Sequence, residues 1–293
     1  MLVKASMLTP AAAIYVLMLV VPAGFAVYYS FTRWNGMTSP NQPGPTWVGL
    51  ANYEQLFRSE AVRDTLLTTG LIAGVGAVLV NVAALGLAVL LQKNTRTNVF
   101  ARVVAFYPHV LAVLVVGYLW QALLGPQGAV NNVISKLGAS PLPFLSDPTW
   151  ALWTMIFVIV WGLLGVQLVL YLAGLQAIPR ELLEAARIDG ATRWQVFRSV
   201  TWPGLAPSAT VAMITSLITL LKTYDIVVSF TGGGPGGATR TLAYNVLFIE
   251  FTENRRVGQA CAQALLLMLI AAALSFTVLR LRRRAEEGAE SVG

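Results

Sequence analysis

The chain is 293 residues long, and 56% of them are hydrophobic while only 11% are charged, where a soluble domain carries roughly 25% charged residues. That balance excludes an ordinary soluble enzyme, because a single core cannot hide so much apolar surface and lipid must be the solvent for much of it. The lone cysteine, Cys261, excludes a disulfide framework within the chain, and the net charge of +7 poses the question of where the basic residues sit relative to a bilayer.

A bilayer core needs about 20 apolar residues in a helix. Six runs meet that length, at about residues 7–31, 66–91, 99–124, 150–175, 205–230 and 260–281. They predict an all-α membrane protein, since lipid leaves no partner for unpaired backbone groups. The first run outlasts the apolar core of a secretory signal and reads as a retained helix. With the N-terminus inside, the inner segments hold twelve Lys and Arg and the longer outer segments seven, while Lys222 falls within a span. The positive-inside rule therefore predicts both termini in the cytoplasm.

Three outer loops are substantial. Thr32 to Thr65 is rich in Pro and Gly before an aromatic stretch, and Gly125 to Thr149 carries three prolines. The third begins Thr231-Gly-Gly-Gly-Pro-Gly-Gly237, and Leu242 to Phe251 reads as an amphipathic helix. None is long enough to be a catalytic domain. The inner loop 176–204 stands apart. Pro179 suits a first helical turn, Glu181 to Asp189 reads as helix, and Gly190 ends it. Thr192-x-x-Gln195 then reads as a capping box opening a second amphipathic helix that Pro203 closes. Two short helices meeting at a glycine form a knuckle suited to a groove on a partner.

Polar residues within the spans have two readings each. Lys222 and Asp225 share a helical face three residues apart, as a functional pair or as an interfacial pair with Lys222 reaching outward. His109 after Pro108 is either a functional histidine or a packed or cavity-lining one, and Asn81, Gln121 and Gln167 either hydrogen-bond to solute hydroxyls or join helices. One histidine and one embedded aspartate are poor material for intramembrane catalysis.

The knuckle carries a resemblance. Glu184-Ala-Ala-x-x-x-Gly190, nine residues, then Val200-x-Trp202-Pro203 resembles the EAA motif of membrane subunits of bacterial ABC importers. Val200 and Trp202 stand where the usual pattern has Ile and Leu. Tyr29-Ser-Phe-Thr-Arg-Trp34, Val48-Gly-Leu-Ala-Asn-Tyr53, Phe106-Tyr-Pro108 and Tyr224-Asp225 before Thr231-Gly-Gly-Gly-Pro235 resemble the sugar-importer permeases related to the maltose and glycerol-phosphate systems, in particular the larger maltose permease subunit. The resemblance implies one type I permease domain in a bacterial inner membrane, with no catalysis of its own. Its implied partners are a second permease, two copies of an ATPase and an extracytoplasmic sugar-binding protein. ATP and Mg would be bound by the ATPase; no cofactor is expected here, and the sequence has no Walker A loop. The resemblance assigns coupling to Glu184, Ala185, Ala186, Asp189, Gly190, Ala191 and Pro203, and a substrate path to Trp161, Ser216, Thr223 and Tyr224. The solute implied is a sugar; glycerol phosphate, an amino acid or a peptide is the alternative.

Overall fold

The computed structural model describes residues 9–10, 12–37 and 44–290, with side chains as far as Arg280 and at Arg282. Met7, Leu8, Lys4 and the side chains of Arg283 and Arg284, which figure in the expected first span and the basic segments, lie outside the described residues. The elements are α1 (Ala12–Ser30), β1 (Thr32–Arg33), β2 (Thr46–Trp47), α2 (Ala51–Arg58), α3 (Glu60–Leu91), α4 (Arg96–Val110) and α5 (Val113–Leu124). They continue with α6 (Ala129–Lys136), α7 (Pro148–Ala177), α8 (Arg180–Ile188), α9 (Arg193–Leu221), the wide turn α10 (Val227–Thr231), α11 (Leu242–Tyr244 running into Asn245–Glu253) and α12 (Val257–Glu290). Among the described residues six helical stretches are long and apolar enough to cross a membrane.

The chain separates into two compact units, the described parts of 1–65 with 242–270 and of 66–241 with 271–293, so the boundaries fall inside α3, just before α11 and inside α12. In the first unit, β1 and β2 pair antiparallel with Thr32 opposite Trp47. Asn52 of α2 donates to the carbonyls of Ser30 and Thr32, both at 2.8 Å, and the Tyr53 hydroxyl donates to Ser30 Oγ at 2.8 Å. The start of α12 presses so closely here that a Cβ on Gly258 would lie 1.9 Å from the Thr32 carbonyl.

In the second unit α7 is central. A Cβ on Gly165 would lie 2.5 Å from the Phe106 Cα of α4, and one on Gly174 would lie 2.5 Å from Ser208 Oγ of α9. Small residues at such contacts let helix backbones approach where lipid supplies no hydrophobic drive between them. Ala84 and Ala88 of α3, Leu168, Tyr171 and Leu172 of α7, and Ala212 of α9 form one buried cluster. Beside it Asn81 donates to Ser216 Oγ at 2.9 Å and accepts from the Tyr171 hydroxyl at 3.0 Å.

Three expectations are corrected. The third span is not one helix: Pro108 sits in the last turn of α4, Leu111 and Ala112 are extended, and α5 starts afresh. Proline removes a ladder hydrogen bond and crowds the preceding turn. The fifth span ends at Leu221 rather than near residue 230. Lys222 closes α9, the Thr223 N–H bonds back to Leu220 O at 3.2 Å, and the Thr241 hydroxyl takes the Thr223 carbonyl at 2.6 Å. The next helical turn opens at Asp225, so Lys222 and Asp225 do not share one helical face. Pro203, finally, does not close the knuckle's second helix. A π-type turn over Phe197–Thr201, in which Trp202 N–H bonds to Phe197 O, carries the helix past it. The widened turn gives room to a ring that has no N–H to contribute.

Candidate functional site

Two features in the second unit concentrate polar groups and exposed surface. The first is a cavity of about 450 Å³, within the range of about 300–1,000 Å³ usual for small-molecule sites. Its walls come from the end of α4, the start of α5, the middle of α7 and the end of α9. Both helix breaks, at Leu111 and at Lys222 to Asp225, border it. Irregular backbone at membrane depth is tolerated where it lines a cavity or is buried in protein.

The lining is apolar apart from His109, Thr219, Lys222, Thr223, Tyr224 and Asp225. Thr219 and Thr223 donate to the carbonyls of Thr215 and Thr219, at 2.8 and 3.1 Å, so each hydroxyl keeps acceptor capacity. Past the end of α9, the Asp225 carboxylate holds Tyr224 protonated above its ordinary range, first by the hydrogen bond between them and then by its charge. The Asp225 carbonyl accepts from Ser229 Oγ at 3.0 Å, which fixes the turn that follows.

Of the four substrate-path residues expected from sequence, the structure brings Thr223 and Tyr224 to this cavity. Ser216 is fully buried in the Asn81 network. Trp161 is not on the cavity lining; it packs edge-on to Trp120 at 5.4 Å, and its neighbour Gly162 lines the cavity instead. Asn81, Gln121 and Gln167 are not among the lining residues either. Thr219 had no signal of its own beyond lying one helical turn before Thr223.

The second feature is the knuckle. Ala191 N–H bonds to Ala186 O at 3.0 Å and Gly190 N–H to Arg187 O at 3.1 Å, with Gly190 at φ +77°. That pair of bonds is a Schellman motif, which satisfies the orphan carbonyls of α8 and needs a left-handed residue after the cap. The spacing from Ala186 to Gly190 and Ala191 is therefore set by the helix stop. Thr192 then caps α9: its N–H bonds to Gln195 Oε1 at 2.7 Å and its hydroxyl accepts from Gln195 N–H at 3.4 Å. Glu184, Ala185, Asp189 and Gly190 are exposed, as is Pro203 near the base, while Ala186 and Ala191 are half-buried. Ile188 is 86% exposed and Trp194 67%, an apolar surface at the tip that the described residues leave largely uncovered. At the base, Ile178 packs against Gly204, where a Cβ would lie 3.0 Å from Ile178 Cγ1.

The two features share their supports. The knuckle joins α7 to α9, and both helices supply walls of the cavity. At 1.5 Å per residue, the course of α9 from Thr192 to Thr219 is about 40 Å.

Comparison with known proteins gives a consistent result. The chain is 30% identical to a probable starch degradation products transport system permease of Thermoanaerobacterium thermosulfurigenes, over 92% of this chain and 90% of that one. It is 31% identical to a diacetylchitobiose uptake system permease of Streptomyces coelicolor, over 92% and 80%. Its fold matches a bacterial ABC transporter involved in the import of the acidic polysaccharide alginate, with a TM-score of 0.82, 22% identity and coverage of 96% of this chain and 95% of that one. The family model for binding-protein-dependent transport system inner membrane components matches residues 2–287, and the chain belongs to that family.

Proposed function

We propose that this chain is one permease subunit of an ATP-driven importer of carbohydrates, forming half of the translocation path and coupled to an ATPase through the knuckle. The observation that carries the reading is the shared support: two of the helices that wall the cavity are the two that the knuckle joins. Force applied at Glu184 to Ala191 passes through only short connections, Ile178–Pro179 on one side and Asp189–Thr192 on the other, before the helices that carry Gly162 and Thr219. Thr223 and Tyr224 offer a sugar a hydroxyl and a ring face. The remaining parts are a second permease, two ATPase copies that bind ATP and Mg, and an extracytoplasmic binding protein. Both termini and the knuckle lie on the cytoplasmic side, where the ATPase is. The chain hydrolyses nothing itself.

The test is affinity purification of the tagged chain from membranes of its native host, with uptake of labelled oligosaccharides by the same cells. A second permease and an ATPase should co-purify, and Glu184→Lys should abolish uptake while the chain remains in the membrane. Recovery of the chain alone, with uptake untouched by Glu184→Lys, would overturn the reading.

A further inference from the structure

We infer that the cavity between α4, α5, α7 and α9 takes an uncharged glycan and rejects anionic ones, with Asp225 as the residue that makes the distinction; this rests on the cavity being the substrate path. The fold does not settle ligand charge, since a transporter of an acidic polysaccharide shares it. The lining does. Its formal charge is zero with His109 neutral, from one cation and one carboxylate. Among the described residues the ion pairs are Arg58 with Glu54 and Arg63 with Asp64, so Lys222 and Asp225 are not paired with each other and both charges act on the cavity.

The hydrogen-bonding types point the same way. The Lys222 ammonium only donates and the Asp225 carboxylate only accepts, while Thr219 and Thr223, whose hydrogens go to backbone carbonyls, offer acceptors and Tyr224 adds a hydroxyl. Sugar hydroxyls are matched to such a mixture: one oxygen accepts from Lys222, a neighbouring hydroxyl donates to Asp225, and both bonds are charge-assisted. A carboxylate, phosphate or sulfonate on the ligand offers acceptors alone. It gains Lys222 but meets Asp225 with no hydrogen to give, in a cavity whose other walls are aliphatic and screen charge poorly.

The test is equilibrium binding to the assembled importer in lipid nanodiscs without its binding protein. The probes are radiolabelled maltotriose, tri-N-acetylchitotriose and trigalacturonate at up to millimolar concentration. At least one neutral probe should bind at least about tenfold tighter than trigalacturonate, as like-charge juxtaposition predicts. Asp225→Asn should shrink that gap severalfold by strengthening trigalacturonate binding. Equal or tighter binding of trigalacturonate by the native importer, or an unchanged ratio in Asp225→Asn, overturns the inference. Tyr224→Ala with Thr219→Val, in complexes that still co-purify intact, separates the two readings. If the double variant weakens the preferred probe yet that probe is the anion, only the charge inference fails. If it leaves binding unchanged, or if no probe binds saturably to the native importer, the cavity is not the path and the inference falls with it.

Discussion

Gly190 and Ser216 show how one residue's role follows from its surroundings. A Cβ on Gly190 would meet nothing within 4 Å, so space is not what requires glycine there. The backbone does: at φ +77° a β-branched residue costs roughly 1–2 kcal/mol, whereas asparagine tolerates the left-handed region. Gly190→Val should therefore abolish uptake with the chain still present in membranes, and Gly190→Asn should keep most of it; equal uptake by both would show that the Schellman turn is not what matters. Ser216 is the opposite case. Its hydroxyl faces Asn81 and not the cavity, and membrane hydrogen bonds between helices average about 0.6 kcal/mol. Ser216→Ala should lower the melting temperature of the solubilised complex slightly and leave the KM of uptake unchanged. A raised KM with unchanged melting would return Ser216 to the substrate path. Ser216 and Trp161 lie in helices that wall the cavity but not on its lining. In an all-apolar span no amphipathic stripe tells a cavity wall from a helix contact, so the step from Trp161 to Gly162 was invisible.

At the scale of elements, legibility depended on whether an end is marked by polar chemistry. The knuckle was readable because Gly190, Thr192 and Gln195 each satisfy a specific orphan backbone group, and the structure uses all three. The breaks after Pro108 and at Lys222 were not, since the apolar runs on either side read as single spans; at the second break the Thr223 carbonyl is taken by the Thr241 hydroxyl, eighteen positions on in sequence but adjacent in space. Pro203 misled for the converse reason: a wide turn that carries no sequence signature absorbs it. The exposed tip makes a prediction about the element as a whole. Ile188→Asp places a charge on a side chain that touches little of its own chain, so folding should be spared. Co-purification of the ATPase, and uptake with it, should fall by at least about tenfold, as burying an unpaired charge at an interface predicts. Full retention of the ATPase would remove Ile188 from the contact.

At the scale of the whole molecule, the sequence supplied six spans and a family, and basic-residue bias supplies an orientation that can be checked chemically. In a Cys261→Ser background, Ser140→Cys should react with an impermeant thiol reagent on intact cells, while Thr192→Cys and Ser291→Cys should react only after permeabilisation. Labelling of Thr192→Cys from outside would invert the arrangement and place the knuckle away from ATP. The packing of α7 bears on how such a molecule moves. Gly165 seats it against the backbone of α4 and Gly174 seats it against α9, leaving no clearance for sliding at either contact. If these three helices travel as a block, bending falls to the interruptions at Leu111 and at Lys222 to Asp225, which are the cavity's own rim. Solute in the cavity and load on the knuckle are then two ligands of a single conformational equilibrium, and thermodynamic linkage requires each to alter the other's apparent affinity by the same factor.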